Sequence, residues 1–150
     1  KIIYNLLSPS NGEVLIDGEA NYRIHKLENQ IFYLPSSTTP FILDMESNIL
    51  LGKSPPAEFL DIINTLGLGA IIKDSCENLS TGEQLRVAMA RGLISKKNIF
   101  LLDEFNANLD NKTSDQIVQM LLKKAKNGAL IILVNHKSSI PGAIILELGL

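Results

Sequence analysis

An α/β fold, a mainly parallel sheet flanked by helices, is the architecture this sequence predicts. Three observations carry the expectation. Apolar runs of strand length occupy 31–34, 98–103 and 129–134. Helical patterns alternate with these runs through the second half of the chain, the order that builds a parallel sheet covered on both faces. Polar residues follow each run at once: Ser36, the pair Asp103-Glu104, and Asn135-His136. Ligands of such sheets bind beyond the carboxyl ends of the strands, so these are the positions to inspect.

The chain has 150 residues, 45% of them apolar, which suits one domain or a large piece of one. No apolar run approaches the roughly 18 residues that span a bilayer. The net charge of −2 gives no bulk attraction toward nucleic acid or an anionic membrane surface, so no nucleic-acid partner is expected. The single cysteine, Cys76, excludes an internal disulfide and suits a reducing compartment.

Taken in order, residues 2–7 read as a helix tail stopped by Pro9. Alternation over 13–17 before Gly18 suggests a short strand, and 31–34, closed by Pro35, a second one. Helical patterns at 44–51 and 57–66 are separated by Pro55-Pro56, and Gly67 ends the latter. The clearest helix covers 80–94. The run at 98–103 is a buried strand ending in acids. Residues 111–126 place Ile117, Leu121, Leu122 and Ala125 on one side of a helix. A turn at Gly128 leads into a buried strand over 129–134, and 143–147 suggests one more.

Three places combine chemistry with position. Ser80 and Glu83, in Leu-Ser-Thr-Gly-Glu-Gln, fit a capping box at the start of 80–94. The same helix start, with small Gly82, would also present free N–H groups and a positive dipole end to an anion. Asp103 and Glu104 close a buried strand, where paired carboxylates are costly unless a cation or reacting group uses them. Asp103 is placed to hold Mg²⁺ and Glu104 to polarise an attacking water; taken alone, such a pair reads first as solvated loop acids. His136, directly after a strand, can donate to a phosphate or be an ordinary loop histidine.

The order of these features resembles one family closely, the ATP-binding domains of ABC transporters. Residues 79–84 resemble its signature motif and 98–104 its Walker B strand with the catalytic glutamate. Asn108-Leu109-Asp110 is similar to the D-loop and His136 to the switch histidine. Residues 11–18 resemble the hairpin after the Walker A helix. Residues 31–48, with Tyr33, Pro35, Phe41 and Asn48 in register, resemble the exporter-type Q-loop segment. The resemblance covers essentially the whole chain and implies a P-loop NTPase-like fold with a small helical subdomain over about 41–92.

The resemblance further implies ATP and Mg²⁺ as cofactors and ATP hydrolysis coupled to transport, export in direction, at the cytoplasmic face of the cell membrane. Its implied partners are a second ATPase domain, paired head to tail, and a transmembrane domain. Glu104 and His136 would be catalytic and Asp103 the metal ligand. Ser80, Thr81, Gly82, Glu83, Asp110 and Ser36 would line the nucleotide. Two other readings stay open: a non-catalytic half that lends only its signature face, and an ABC ATPase outside transport.

Departures accompany the resemblance. No Gly-x-x-x-x-Gly-Lys-Ser/Thr loop occurs in the sequence, so the front of the domain is expected to be missing and this chain alone to bind ATP poorly and turn none over. Ser36 stands at the Q-loop glutamine, Thr81 at a usual glycine and Glu83 at a usual glutamine.

Overall fold

A computed structural model describes residues 4, 7–16, 18–20, 29–106, 109–134, 140 and 143–144. It opens on an antiparallel hairpin of β1 (Leu15–Ile16) and β2 (Glu19–Ala20), with Leu15 opposite Ala20. The turn between them uses Gly18 at φ 81°, a conformation glycine takes without a Cβ penalty. The expected strand over 13–17 is thus shorter. The helix tail expected over 2–7 falls mostly outside the described residues, and Tyr4 and Leu7 are not helical.

The main sheet is parallel, in the order β3 (Ile31–Leu34), β4 (Ile99–Asp103), β5 (Leu130–Val134). Leu34 lies level with Leu102, and Asp103 with Val134. The carboxyl ends of the strands therefore share one edge. Strand alternation divides the side chains between two faces. Leu34, Phe100 and Leu102 enter the main core, while Ile31, Tyr33, Ile99, Leu101 and Ile132 form a second cluster on the other face.

Helices α1 (Met45–Leu50), α2 (Phe59–Thr65) and α3 (Thr81–Ile94) follow β3 and precede β4. Met45, Ile49, Phe59, Ile63, Leu66, Leu85, Met89 and Leu93 join them in the cluster that continues into the sheet. Helix α3 lies against β3 closely enough that Gly92 faces the ring of Phe32. Helix α4 (Asn111–Lys126) links β4 to β5 and buries Ile117 and Leu121.

Two expectations need correction. The strand at 129–134 is not fully buried: Leu130 and Val134 are about half exposed, because by alternation they share with Ile132 the face of the smaller cluster, which the main core does not cover. Ala125 of α4 faces solvent; the apolar side of that helix narrows to Ile117 and Leu121, with Val118 and Met120 beside them. Ala143 and Ile144 are not in a strand, and the rest of the strand expected there lies outside the described residues.

Candidate functional site

The acid pair stands at the tip of β4, the middle strand of the described parallel sheet. Two buried anchors fix it: Leu102 before it and Phe105 after it are almost fully enclosed. Between these anchors Glu104 takes a left-handed backbone, φ 51°. Such a conformation is uncommon for a non-glycine residue and persists only where the surroundings enforce it. Its N–H donates to the carbonyl of Val134 at 3.0 Å, tying the residue to the end of β5. The chain thus turns sharply at Glu104 while both neighbours stay packed. Asp103 and Glu104 themselves are partly open to solvent.

On the face shared with Asp103 stands Tyr33, two residues back by register. Its ring stacks on Tyr4 at 5.1 Å between centroids. Among the described residues its buried hydroxyl has no hydrogen-bond partner. Burial and the nearby Asp103 charge push that phenol above its ordinary pKa. Ser36 is an exposed residue just past Pro35. It shares the carboxyl edge of the sheet with the two acids, because β3 ends level with Leu102.

The signature segment has the predicted capping box. Ser80 Oγ accepts from the Glu83 N–H at 3.3 Å. Glu83 Oε2 in turn accepts from the Ser80 N–H at 2.8 Å and the Ser80 hydroxyl at 2.7 Å. These bonds hold the Glu83 carboxyl below its ordinary pKa. Gln84 Nε2 donates back to the Leu79 carbonyl at 3.0 Å. Ser80 and Thr81 are exposed, and Gly82 partly so. In the first turn of any helix the leading N–H groups lack an intrahelical acceptor, so Thr81 and Gly82 direct theirs outward with the dipole.

Asp110 has a structural duty that the sequence reading missed: it caps α4. Its Oδ1 accepts from the Thr113 N–H at 2.9 Å and its Oδ2 from the Thr113 hydroxyl at 2.7 Å. These bonds lower its pKa. Asp44 caps α1 in the same way through Ser47. The Asx-x-x-Ser/Thr spacing was the available signal in both cases. His136 and Asn108 lie outside the described residues.

The donor set at the strand tip fits one kind of metal. Among the described residues no group of three or more His, Cys, Asp or Glu side chains gathers around a common point, so these residues form no all-protein cage there. A single hard carboxylate at an open strand tip suits Mg²⁺, which takes one or two carboxylates and fills its remaining positions with water and phosphate oxygens.

Sequence reading also missed a buried polar junction beside the signature helix. Asn48 on α1 is fully buried and joined to Arg91 on α3. Desolvation lowers the Arg91 pKa. The only sign in the sequence was an arginine placed among the apolar residues Val87, Ala88 and Met89 of a core helix.

Residues 1–107 match the family profile described as ABC transporter. Across 93% of the chain, identity is 31% to the mesentericin-Y105 transport/processing ATP-binding protein of Leuconostoc mesenteroides and 30% to the ATP-binding cassette sub-family B member 5 of Homo sapiens. The chain spans 21% of the first protein's length and 12% of the second's. A bacterial Atm1-family ABC exporter with ATP bound has the same fold, with a TM-score of 0.75 at 23% identity over 91% of this chain and 26% of its own. The dimeric post-hydrolysis state of an ATP-binding cassette bound to ADP and Pi gives 0.72 at 26% identity, over 91% of this chain and 67% of its own. With its signature-type helix cap and its acid pair on a central parallel strand, the chain belongs to the ABC transporter family and carries part of that family's ATP-binding domain.

Proposed function

We propose that this chain forms part of the ATP-hydrolysing domain of an export-type ABC transporter, inactive by itself and working at the cytoplasmic face of a membrane with a second ATPase domain and a transmembrane domain. One observation carries the reading: Asp103 and Glu104 stand together on the tip of the central parallel strand, with Glu104 turned by a left-handed backbone held between buried anchors. A strained acid at a strand tip is the arrangement a reacting group requires. The export direction rests on the exporter-type pattern of residues 31–48 and on the likeness to a transport/processing ATP-binding protein and a sub-family B member.

Each residue then has a defined task. Asp103 would hold Mg²⁺, which when bound would neutralise phosphate charge. Glu104 orients the attacking water and accepts its proton. His136 donates to the transferring phosphoryl group. Ser80 and the Gly82 N–H are offered to the terminal phosphate of ATP held by the partner copy, where the helix dipole favours an anion. The Ser80 hydroxyl donates to Glu83 in the free chain, so gripping a phosphate exchanges that bond for a new one. Thr81 and Glu83 border the same contact, Ser36 stands at the sheet edge, and Asp110 joins the two sites through the start of α4. Positioning and electrostatics dominate phosphoryl transfer, so these few groups suffice beside a phosphate loop.

The test is Glu104→Gln in the intact protein. ATP binding stays within about twofold while hydrolysis falls by at least about a hundredfold. Unchanged turnover removes Glu104 from the base role. A second reading is favoured by Ser36, too short to reach where a Q-loop glutamine reaches: a non-catalytic half that only lends Ser80 and Gly82 to an active partner. On that reading Glu104→Gln changes nothing, whereas Ser80→Ala lowers the partner's turnover.

A further inference from the structure

Asn48 is the one polar residue that is fully buried among those described, and each of its polar side-chain atoms is engaged. Its Oδ1 accepts from the Phe41 N–H at 2.8 Å and from Arg91 Nη2 at 3.2 Å. Its Nδ2 faces the carbonyls of Phe41, Asp44 and Leu43 at 3.0, 3.2 and 3.4 Å, and Cys76 Sγ at 3.3 Å. Its own carbonyl lies in the last turn of α1, where helical carbonyls lack an internal partner; Arg91 Nε fills that need at 2.9 Å.

Arg91 therefore meets one residue through two parallel donors, a geometry that its planar fork allows and a lysine ammonium does not. The Phe41 ring lies over the guanidinium at 5.5 Å, adding cation–π attraction. Among the described residues no carboxylate pairs with Arg91. Its charge is spent on holding backbone, and its partners are 43 residues away in the chain. What it holds is a strongly exposed apolar segment: Phe41, Ile42 and Leu43 are 58%, 78% and 50% exposed. A segment so exposed has little burial of its own to fix it, so backbone bonds set its position: the Asn48 junction at Phe41 and the Cys76 N–H, which donates to the Leu43 carbonyl at 2.9 Å.

We propose that Asn48 and Arg91 are positioning residues that form a rigid strut between the signature helix α3 and the exposed segment 41–43, so that a displacement of the Ser80 end of α3 is delivered to Phe41. The strut rests on the reading above, in which the Ser80 end grips nucleotide. Helix α3 carries both ends of the connection, Ser80 as its cap and Arg91 in its last turn, and a packed helix moves as one body. Two bonds to Asn48 and one aromatic contact tie the far end of that body to residue 41. Losing the arginine leaves the buried Asn48 carbonyl without its donor and Oδ1 with one of its two, and removes the direct tie between the segment and α3, while the Phe41 N–H to Asn48 and Cys76 N–H to Leu43 bonds keep its local turn.

Hydrogen–deuterium exchange on the intact protein, with and without MgATP, tests this. In the wild type, MgATP slows exchange at least about threefold both in 80–86 and in 41–48. In Arg91→Ala the slowing in 80–86 persists and that in 41–48 is lost, with thermal unfolding still cooperative. Arg91→Lys, which keeps the charge but not the planar fork, at least halves the response of 41–48 and decides the matter should the alanine variant fail to fold. An undiminished response of 41–48 in either variant overturns the strut, as does a wild type in which 80–86 responds and 41–48 does not. A wild type in which 80–86 itself is unresponsive overturns the nucleotide reading beneath it.

Discussion

Replacing Gly92 by alanine destabilises this protein although alanine is the better helix former, and the loss reverses once Phe32 is removed. Gly92 lies near the end of α3 where the helix crosses β3. A Cβ built there meets three carbons of the Phe32 ring at 2.3, 2.5 and 2.6 Å. The ring has little room to yield, because it packs against Phe100 at 5.6 Å between centroids and Phe100 is fully buried. Alanine gains about 0.5–1 kcal/mol of helix propensity. Forcing a methyl into this contact costs about 1–3 kcal/mol, through a shifted helix or a displaced ring. The net for Gly92→Ala is a loss of about 1–2 kcal/mol.

Phe32→Ala, which empties a partly buried site, costs about 2 kcal/mol. In that background the clash is absent, so Gly92→Ala becomes stabilising by about 0.5–1 kcal/mol. The coupling energy of the cycle is then about 2 kcal/mol, far above the scatter of independent sites. Urea unfolding of all four proteins, followed by far-ultraviolet circular dichroism, measures it. Additivity within about 0.5 kcal/mol would refute the packing argument and mean that α3 stands farther from β3 than the structure places it.

Other consequences are as direct. Ser80→Ala removes the acceptor of the Glu83 N–H and lowers stability by about 1 kcal/mol in the same unfolding assay; no loss would mean that the capping box is idle in solution. Asp44, Glu83 and Asp110 all have pKa values lowered mainly by hydrogen bonds to Ser47, Ser80 and Thr113. A depressed folded pKa gives stability that is present above the unfolded value and lost as pH falls through the folded one, so stability is flat above about pH 5 and declines below about pH 4. Asp110→Asn keeps a good cap and removes one of these titrations; its unfolding midpoint should fall less steeply with acid than the wild type's, and parallel curves would remove Asp110 from the account. The 150-residue chain by itself should hydrolyse no ATP, since its sequence supplies no nest for the β- and γ-phosphates; Mg-dependent phosphate release from that chain would contradict this.

The parts of the fold legible in the sequence were those with a local cause. Ser80 and Glu83 declare the start of α3 because their bonds span three residues. The strand at Ile31–Leu34 and the helix at Asn111–Lys126 were found at their observed limits, one closed by Pro35 and the other carried by helical spacing. The acids at 103 and 104 were legible because a strand end is a local event. The exposure of β5 was not, since how well each face of a strand is covered depends on which distant elements pack on it. Nor was the Asn48–Arg91 junction, whose partners are 43 residues apart and whose residue types have no periodic signature. The left-handed backbone of Glu104 escaped for the same reason: it is imposed by anchors at Leu102, Phe105 and Val134 rather than by any preference of glutamate.

Ser36 gives the strut its significance. The register sets it on the same sheet edge as Asp103 and Glu104, five residues before Phe41. A long amide at that position would connect the edge to the 41–43 segment by reaching across it. A serine side chain has one methylene fewer and a hydroxyl in place of the amide; here it is exposed and stands in a bend. From this edge the segment can then be addressed along the covalent chain, through Pro40, or from the other side, through the single Cys76 N–H bond to Leu43 or through α3 and Arg91. A loop whose exposed side chains lack packing transmits displacement poorly, because local opening absorbs it. A helix buried along Leu85, Val87, Met89 and Leu93 does not bend at so low a cost. With the short residue at 36, the stiffer connection between the nucleotide-facing cap and Phe41 runs through the guanidinium of Arg91.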